Sequence, residues 1–490
     1  MNLAELVLHH PADARAFHDG ERWTTWGELR ARAASVAAAL ADVEHGAPVA
    51  IIRPSSVEFV ADYVGVLASG AVAAPLNPQS PPAELADELV RLEPSVVLCD
   101  EALAGGLEEA YGPRSGVVAP RYHVASSTSS AQGELSVVDR QPSDPAALLF
   151  TSGTAGAPRA AVLSHGNLRA NLDQMLSLPG EIARHDDIGL TAVPLFHIFG
   201  LNVALGLTLA TGGALVLEER FDPAASLALC GSLGVTTLVG VPPMYATWAD
   251  LADGELRSVR LAVSGAASLP AEVASRFEER TGVPLWQGYG LTEASPAVTT
   301  SLGTGRNRPG SVGRPLPGVQ LRLVDEGGAD VLQGDPGEIW VRGANVFGGY
   351  WRDPAATAEV LSGDGWLRTG DVGVLGDEGD LFVVDRRKDL VIVSGFNVFP
   401  GEVEDVARRV PGVVDAVAVG RPDPVTGEAL ELFVVRGPDA TAVSEGDITR
   451  ACGLALARYK CPAGVRFVTE LPKGLAGKAL RRALRQQLTS

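Results

Sequence analysis

AALLFTSGTAGAPRAAVLSH (residues 146–165) compresses a strand, a loop and a helix start into twenty positions. AALLF is a short apolar run of the kind a buried strand uses, and Ser164 sits where a helix N-cap belongs. Between them lies TSGTAGAPR, rich in glycine and hydroxyls. Glycines let a backbone approach a ligand closely, and successive N–H groups can form a nest for an anion. The Walker pattern G-x-x-x-x-G-K-[ST] is absent, because Pro158 stands where its second glycine belongs. Taken alone, such a loop is equally well a flexible surface turn. Its one basic residue is Arg159, where phosphate loops of this sort usually carry lysine.

Outward from this stretch, apolar runs alternate with helical patterns. TTWGELRARAASVAAALADV (24–43) opens on a capping box, Thr25-x-x-Glu28, and Ser55-x-x-Glu58 is the expected cap of the next helix. Strand-like runs follow at PVAII (48–52), SVVLC (95–99), IGLTAV (188–193), TTLVGV (236–241) and RLAVS (260–264). This rhythm predicts parallel sheets covered by helices, an α/β architecture. After about residue 305 short strands with turns appear, GVQLRLVD, GEIWVRG and DLFVVDRR, which predict a glycine-rich β region. From about residue 386 a smaller unit begins. It holds a helix PGEVEDVARRV, strands VDAVAVG and ALELFVVRG, a helix DITRACGLALARYK and a closing strand VRFVTEL. The expected division is a large unit, 1–386, and a compact one, 387–490.

The chain of 490 residues is too long for one hydrophobic core. Its net charge of −19 argues against a general nucleic-acid binder but allows a locally positive pocket. The four cysteines and eight histidines show no zinc-ligand spacing, so buried free thiols are expected and structural zinc is not. The N-terminus lacks the features of a signal peptide, and the most apolar stretch, VGVLASGAVAAPL (64–76), is too short and too broken to span a membrane. A cytoplasmic protein without an integral membrane segment is the expectation. Only four lysines are present, Lys388, Lys460, Lys473 and Lys478, against a Lys plus Arg total of 40. The chain uses arginine wherever a generic positive charge will do.

The loop resembles the phosphate loop of the adenylate-forming superfamily, which includes acyl-CoA synthetases, aryl-CoA ligases, luciferases and peptide-synthetase adenylation domains. It departs from the usual [ST]-S-G-[ST]-T-G-x-P-K-G at Ala155, Arg159 and Ala160. The resemblance continues along nearly the whole chain. QGYGLTE (287–293) is similar to the signature loop of the family, SGAASL (264–269) to its adenine loop, VPLFHIFGL (193–201) to its acyl-gate segment, and GWLRTGD (365–371) and DRRKD (385–389) to its ribose and hinge motifs. VSGFNVFPGEVED (393–405) is close to the corresponding run of bacterial fatty-acyl-CoA synthetases, and LPKGLAGKALRRALR (471–485) reads as the motif carrying the catalytic lysine.

That resemblance implies roles residue by residue. Thr151, Ser152, Gly153, Thr154 and Arg159 would hold ATP phosphates. Gly265, Ala266 and Ala267 would lie against adenine, with Gly288, Tyr289 and Gly290 completing the site and Tyr289 stacking on the base. Thr292 would bond the α-phosphate. Glu293, with Thr154, would hold Mg²⁺, because a carboxylate beside a triphosphate makes sense only with an oxygen-loving cation between them. Asp371 would accept the ribose hydroxyls, Arg386 would contact ribose and phosphate, and Lys388 would be the hinge. His197, Gly240, Val241, Gly290 and Leu291 would line the acyl pocket, although a histidine flanked by Phe196 and Phe199 is also an ordinary core residue. Gly395, Phe396 and Asn397 would line a coenzyme A tunnel, and Lys478 would be catalytic. Basic tails are common, but a lysine in this lysine-poor chain carries extra weight.

The implied fold is a large N-terminal domain of α/β subdomains with a small β-barrel-like region, followed by a small mobile α+β domain. The implied reaction joins a carboxylate to the α-phosphorus of ATP as an acyl adenylate, expelling pyrophosphate, and then passes the acyl group to the thiol of coenzyme A, releasing AMP. Gln287 and Gly288 offer no arginine for a second carboxylate, and LNVALGLTLATGG offers no acid for an amino group. An apolar monocarboxylate therefore remains, foremost a fatty acid, with an aryl acid as competitor. The alternatives are an acyl-AMP ligase that loads a separate acyl carrier protein, and a nucleotide-binding protein that has lost catalysis, for which only the altered loop speaks.

Overall fold

The computed structural model describes the chain except residues 112–120, 124–133, 152–158, 181, 305–307, 387–390, 394–395, 424–425, 438–442, 457, 474–479 and 490. Its contacts divide it into two units, Met1–Gln320 with Val341–Leu367, and Leu321–Trp340 with Arg368–Ser490.

The first unit is built on two sheets. One runs, in spatial order, Arg121–His123, Val96–Cys99, Pro48–Ile52, Val72–Pro75, Pro145–Thr151 and Arg159–Ser164. Its first five strands pair in parallel and the last is antiparallel. The strands are buried on both faces, as apolar runs without alternation require. The other sheet has nine strands: Arg314–Pro315, Ala297–Thr300, Leu285–Gly290, Leu261–Ser264, Thr237–Gly240, Ile188–Thr191, Ala214–Leu217, Arg15–His18 and Trp23–Thr25. The six strands from Leu285–Gly290 to Arg15–His18 are mutually parallel.

Local chemistry explains the helix starts. Thr25 and Glu28 form the reciprocal capping box before Trp26–Ala39. The next helix, Val57–Ala68, is capped one residue later than the Ser55 motif predicts. Ser56 accepts from Phe59 N, while the Ser55 hydroxyl is taken by a long-range bond from Leu195 N (3.0 Å). The helix read as DITRACGLALARYK stops at Ala455 and resumes as a 3-10 turn, Arg458–Lys460.

In the second unit, a four-stranded sheet occupies the region read as barrel-like, in the order Gln320–Val324, Gly337–Arg342, Leu367–Leu375, Leu381–Arg386. A five-stranded sheet follows. Its long pair, Val413–Asp423 and Gly427–Arg436, is antiparallel, and Gly464–Val468 joins the latter in parallel. Helices Pro400–Arg408 and Glu445–Ala455 contribute Val403, Ala407, Ile448 and Cys452 to a core with Ala416, Ala418, Leu430, Leu432 and Val434. Among the described residues, no helix is long and apolar enough to cross a membrane.

The helix after the phosphate strands begins at His165, which is fully buried. Its Nδ1 accepts from Leu3 N (3.1 Å), anchoring the N-terminal turn. Burial pushes the imidazole down to about 4, with Arg140 adding to the shift and Asp144 opposing it. A proton on Nδ1 would face the Leu3 N–H and break the contact. The folded value lies below the unfolded one, so this contribution is complete above about pH 6.5 and is lost as the pH falls through about 4. Between pH 7 and pH 4 the parent should therefore lose on the order of 3 kcal/mol more of its urea stability than His165→Gln does; the same pH dependence in both would rule His165 out as a contributor.

Candidate active site

Four neighbouring parallel strands end on one edge of the nine-stranded sheet. Thr191 lies opposite Val239, Gly240 opposite Ser264, and Ser264 opposite Gln287. Parallel pairing forces their carboxyl ends to the same side, where α/β sheets bind ligands. The loops that leave these ends carry His197, Val241, Gly265–Ala267 and, after Leu285–Gly290, the segment Leu291–Glu293.

Phe199 joins two of these loops. A side chain at Gly265 would place its Cβ 2.7 Å from the Phe199 ring, so only glycine lets the ring pack there. His197 is half-buried, and its Nδ1 accepts from Phe199 N (3.2 Å). The residues after it form a π-helix, Phe199–Gly206, rather than a plain α-helix, a geometry frequent at functional sites. Ala266 holds φ of +65°, a left-handed conformation costly for alanine. Gly240 is buried, with Tyr245 and Met244 over it, and Val241 is buried beside it. At the end of the signature strand, a Cβ on Gly290 would lie 2.2 Å from the Pro296 carbonyl oxygen and one on Gly288 2.8 Å from that of Thr299. Both glycines are fixed by the close return of the chain. Tyr289, Leu291, Thr292 and Glu293 are each half-buried and so open to a ligand on one side.

Thr151 ends the strand Pro145–Thr151, opposite Arg159, and its hydroxyl donates to the Arg159 carbonyl (3.4 Å). Ser152, Gly153 and Thr154 lie outside the described residues. The Arg159 guanidinium lies 3.7 Å from Asp353 Oδ2 and 3.4 Å from Glu359 Oε2, and sits over the Tyr350 ring.

Tyr350 is a residue the sequence reading missed. Its hydroxyl donates to Glu293 Oε1 at 2.7 Å. Burial first, and Glu293 second, push its phenol above the usual range, so it remains a donor. The available signal was GGY (348–350), an aromatic after paired glycines. Gly349 holds φ of +134°, which turns the chain back along the phosphate strand.

In the second unit, Asp371 is buried and pairs in register with Arg386 on the adjacent strand. Phe396 and Asn397 lie on the strand Phe396–Val398. Lys388, Gly395 and Lys478 lie outside the described residues.

The signature loop is held by buried amides. Asn345 Nδ2 donates to the carbonyls of Ala294 (2.8 Å) and Ala297 (3.3 Å), and its Oδ1 accepts from Gln174. Asn202 donates to Ser295 O (2.7 Å), and Asn171 to Ala297 O (2.8 Å). Asn345→Ala strands the Ala294 carbonyl in the interior, while Ala297 O keeps its bond from Asn171, and should lower stability by about 1–3 kcal/mol, read as a drop in urea midpoint at constant m-value.

Comparison with known proteins fits this geometry. A model of the AMP-binding enzyme family matches residues 3–351, and one of the AMP-binding enzyme C-terminal domain matches residues 402–478. A long-chain-fatty-acid–CoA ligase of Yersinia pestis is 33% identical, over 97% of this chain and 92% of its own. A 4-coumarate-CoA ligase of Narcissus pseudonarcissus is 31% identical, over 99% and 92%. The crystal structure of ATP-bound MatB from Rhodopseudomonas palustris superposes with a TM-score of 0.93 at 33% identity, covering 100% of this chain and 99% of that one.

Proposed function

This chain belongs to the AMP-binding enzyme family, and from that premise we propose that it is an AMP-forming acyl-CoA ligase acting on an apolar monocarboxylic acid, foremost a fatty acid. The observation that carries the reading is the edge described above: an apolar gate segment, a small-residue loop and a half-buried carboxylate brought together by four parallel strand ends. The aryl reading is kept as second because a 4-coumarate-CoA ligase covers the chain as fully as the fatty-acid enzymes do.

The chemistry follows from charge. A carboxylate must approach the α-phosphorus of ATP, so two anions meet and the barrier is largely electrostatic. Tyr289 stacks on the base, Gly265–Ala267 offer a flat small-residue wall, and Thr292 donates to the α-phosphate. Phe199 and Val241 exclude water from the acyl side, with His197 at the gate. Asp371 takes the ribose hydroxyls and Arg386 contacts the nucleotide. Glu293 is an oxygen donor already oriented by a hydroxyl, which fits a magnesium ion, with Thr154 as its partner ligand. Such an ion supplies charge neutralisation on the triphosphate. Lys478 brings a compact ammonium to the carboxylate and α-phosphate, and the segment after Lys388 turns between the two half-reactions so that the coenzyme A thiol, entering along Gly395–Asn397, reaches the mixed anhydride.

Acid-dependent pyrophosphate exchange tests this reading. Fatty acids should support exchange and cinnamate-like acids less; the reverse order would favour the aryl reading, and no exchange with any acid would defeat both. Thioester formation should prefer coenzyme A over a holo carrier protein. Lys478→Arg should lower exchange by about 100-fold or more, the scale of losing one charge-stabilising donor, while Arg159→Lys should stay within a few-fold of the parent, roughly 1 kcal/mol or less, as an exposed ion-pair residue allows. Near-parental exchange in Lys478→Arg would refute this division of labour.

A further inference from the structure

Glu293 sits in a 3-10 turn just after a strand of the nine-stranded sheet and Arg159 begins a strand of the other sheet, yet one side chain touches both. The Tyr350 hydroxyl donates to Glu293 Oε1 at 2.7 Å, and the Tyr350 ring lies under the Arg159 guanidinium, whose Cζ is 5.7 Å from the ring centroid. Both ends of this link are fixed by backbone. Glu293 O accepts from Phe347 N (2.9 Å), and the Phe347 ring stands edge-on to Tyr350 at 5.0 Å. On the other side, Val162 N donates to Gly349 O (2.9 Å) and Trp351 N to Ala160 O (2.8 Å), so residues 349–351 run as an added strand beside Arg159–Ser164. Tyr350 N donates to Thr357 Oγ1 (2.9 Å), which closes the segment.

A glutamate carboxylate on a short loop has several rotamers, and a cation held by it gains only from those that face the ligand. A hydrogen bond to one oxygen selects among those rotamers and fixes the direction in which the carboxylate presents itself. We infer that Tyr350 is a positioning residue: its hydroxyl orients Glu293 for a divalent cation shared with the ATP phosphates, and its ring ties that carboxylate to the cation that follows the phosphate loop. This rests on the reading of Glu293 as a magnesium ligand. The alternative is that Tyr350 only packs. Tyr350→Phe separates the two, since it keeps the ring beneath Arg159 and beside Phe347 and removes the hydroxyl alone.

The test is ATP binding to the full chain by titration calorimetry, without magnesium and across a magnesium series. In the parent, magnesium should tighten ATP binding, and Glu293→Gln should abolish most of that gain. Tyr350→Phe should bind ATP normally without magnesium but need about tenfold more magnesium for half of the gain, the equivalent of about 1.4 kcal/mol for one charge-assisted hydrogen bond. The double variant should be no worse than Glu293→Gln, because the two side chains act through one contact. A magnesium response in Tyr350→Phe equal to the parent, or equal weakening with and without magnesium, would overturn the inference while leaving the Glu293 reading intact. A parent whose ATP affinity ignores magnesium would overturn both.

Discussion

Parallel pairing is the constraint from which the site follows. Ile188–Thr191, Thr237–Gly240, Leu261–Ser264 and Leu285–Gly290 lie side by side with their carboxyl ends on one edge. No antiparallel arrangement could do this, because alternate strands would send their following loops to opposite edges. The chain therefore collects four loops from positions spread between residues 192 and 293 without needing any to be long. Helices return the chain outside the sheet, and the strands can be wholly apolar because both faces are covered. Chemistry is left to the loops, whose glycines and small residues are set by close approach rather than by composition.

What the sheet cannot do is connect its edge to the phosphate strands, which belong to another sheet. That connection is made by residues 345–351, the piece of chain that Val341–Leu367 contributes to the first unit. Asn345 fixes the carbonyls that follow the signature loop, Phe347 fixes Glu293, and Gly349 to Trp351 join the strand Arg159–Ser164. These are buried, directional contacts, and each is expensive to leave half made. They behave as one rivet: loss of Asn345 leaves the Ala294 carbonyl in the interior without that donor, while Ala297 O still holds Asn171.

Signals that depend only on near neighbours were legible. The Thr25–Glu28 box and the run PVAII appear in the structure as the sequence implies, because both depend on neighbours a few residues away. The Ser55 motif misled by one residue for a long-range reason: its hydroxyl is claimed by Leu195 N, 140 positions on, and Ser56 takes over the cap. The π-helix after His197 left no periodic trace, since FGLNVALG is apolar except for Asn202. Tyr350 left only the paired glycines before it, and Asn345 no trace, for a long-range reason of the same kind. Their partners are 57 and 51 residues away, and neither is chemically conspicuous in sequence. The motif residues were read through family resemblance. The side chains that orient them had to be seen in three dimensions.

The arginine of the phosphate loop can now be weighed against its surroundings. Arg159 faces Asp353 and Glu359 at 3.7 and 3.4 Å; the Arg159 and Asp353 side chains are partly exposed and Glu359 is exposed. Exposed pairs of this kind contribute little, so a triphosphate can compete for the guanidinium at small cost. The same acids also cancel part of the field that Arg159 would offer an incoming anion in a chain of net charge −19. Under the proposed mechanism, a cation so compensated would steady the outer phosphates, and the charge needed at the α-phosphorus would come from elsewhere. The proposed mechanism divides the work in the same way: a guanidinium would suffice where phosphates are merely held, and Lys478 would bring a compact ammonium to the reacting centre.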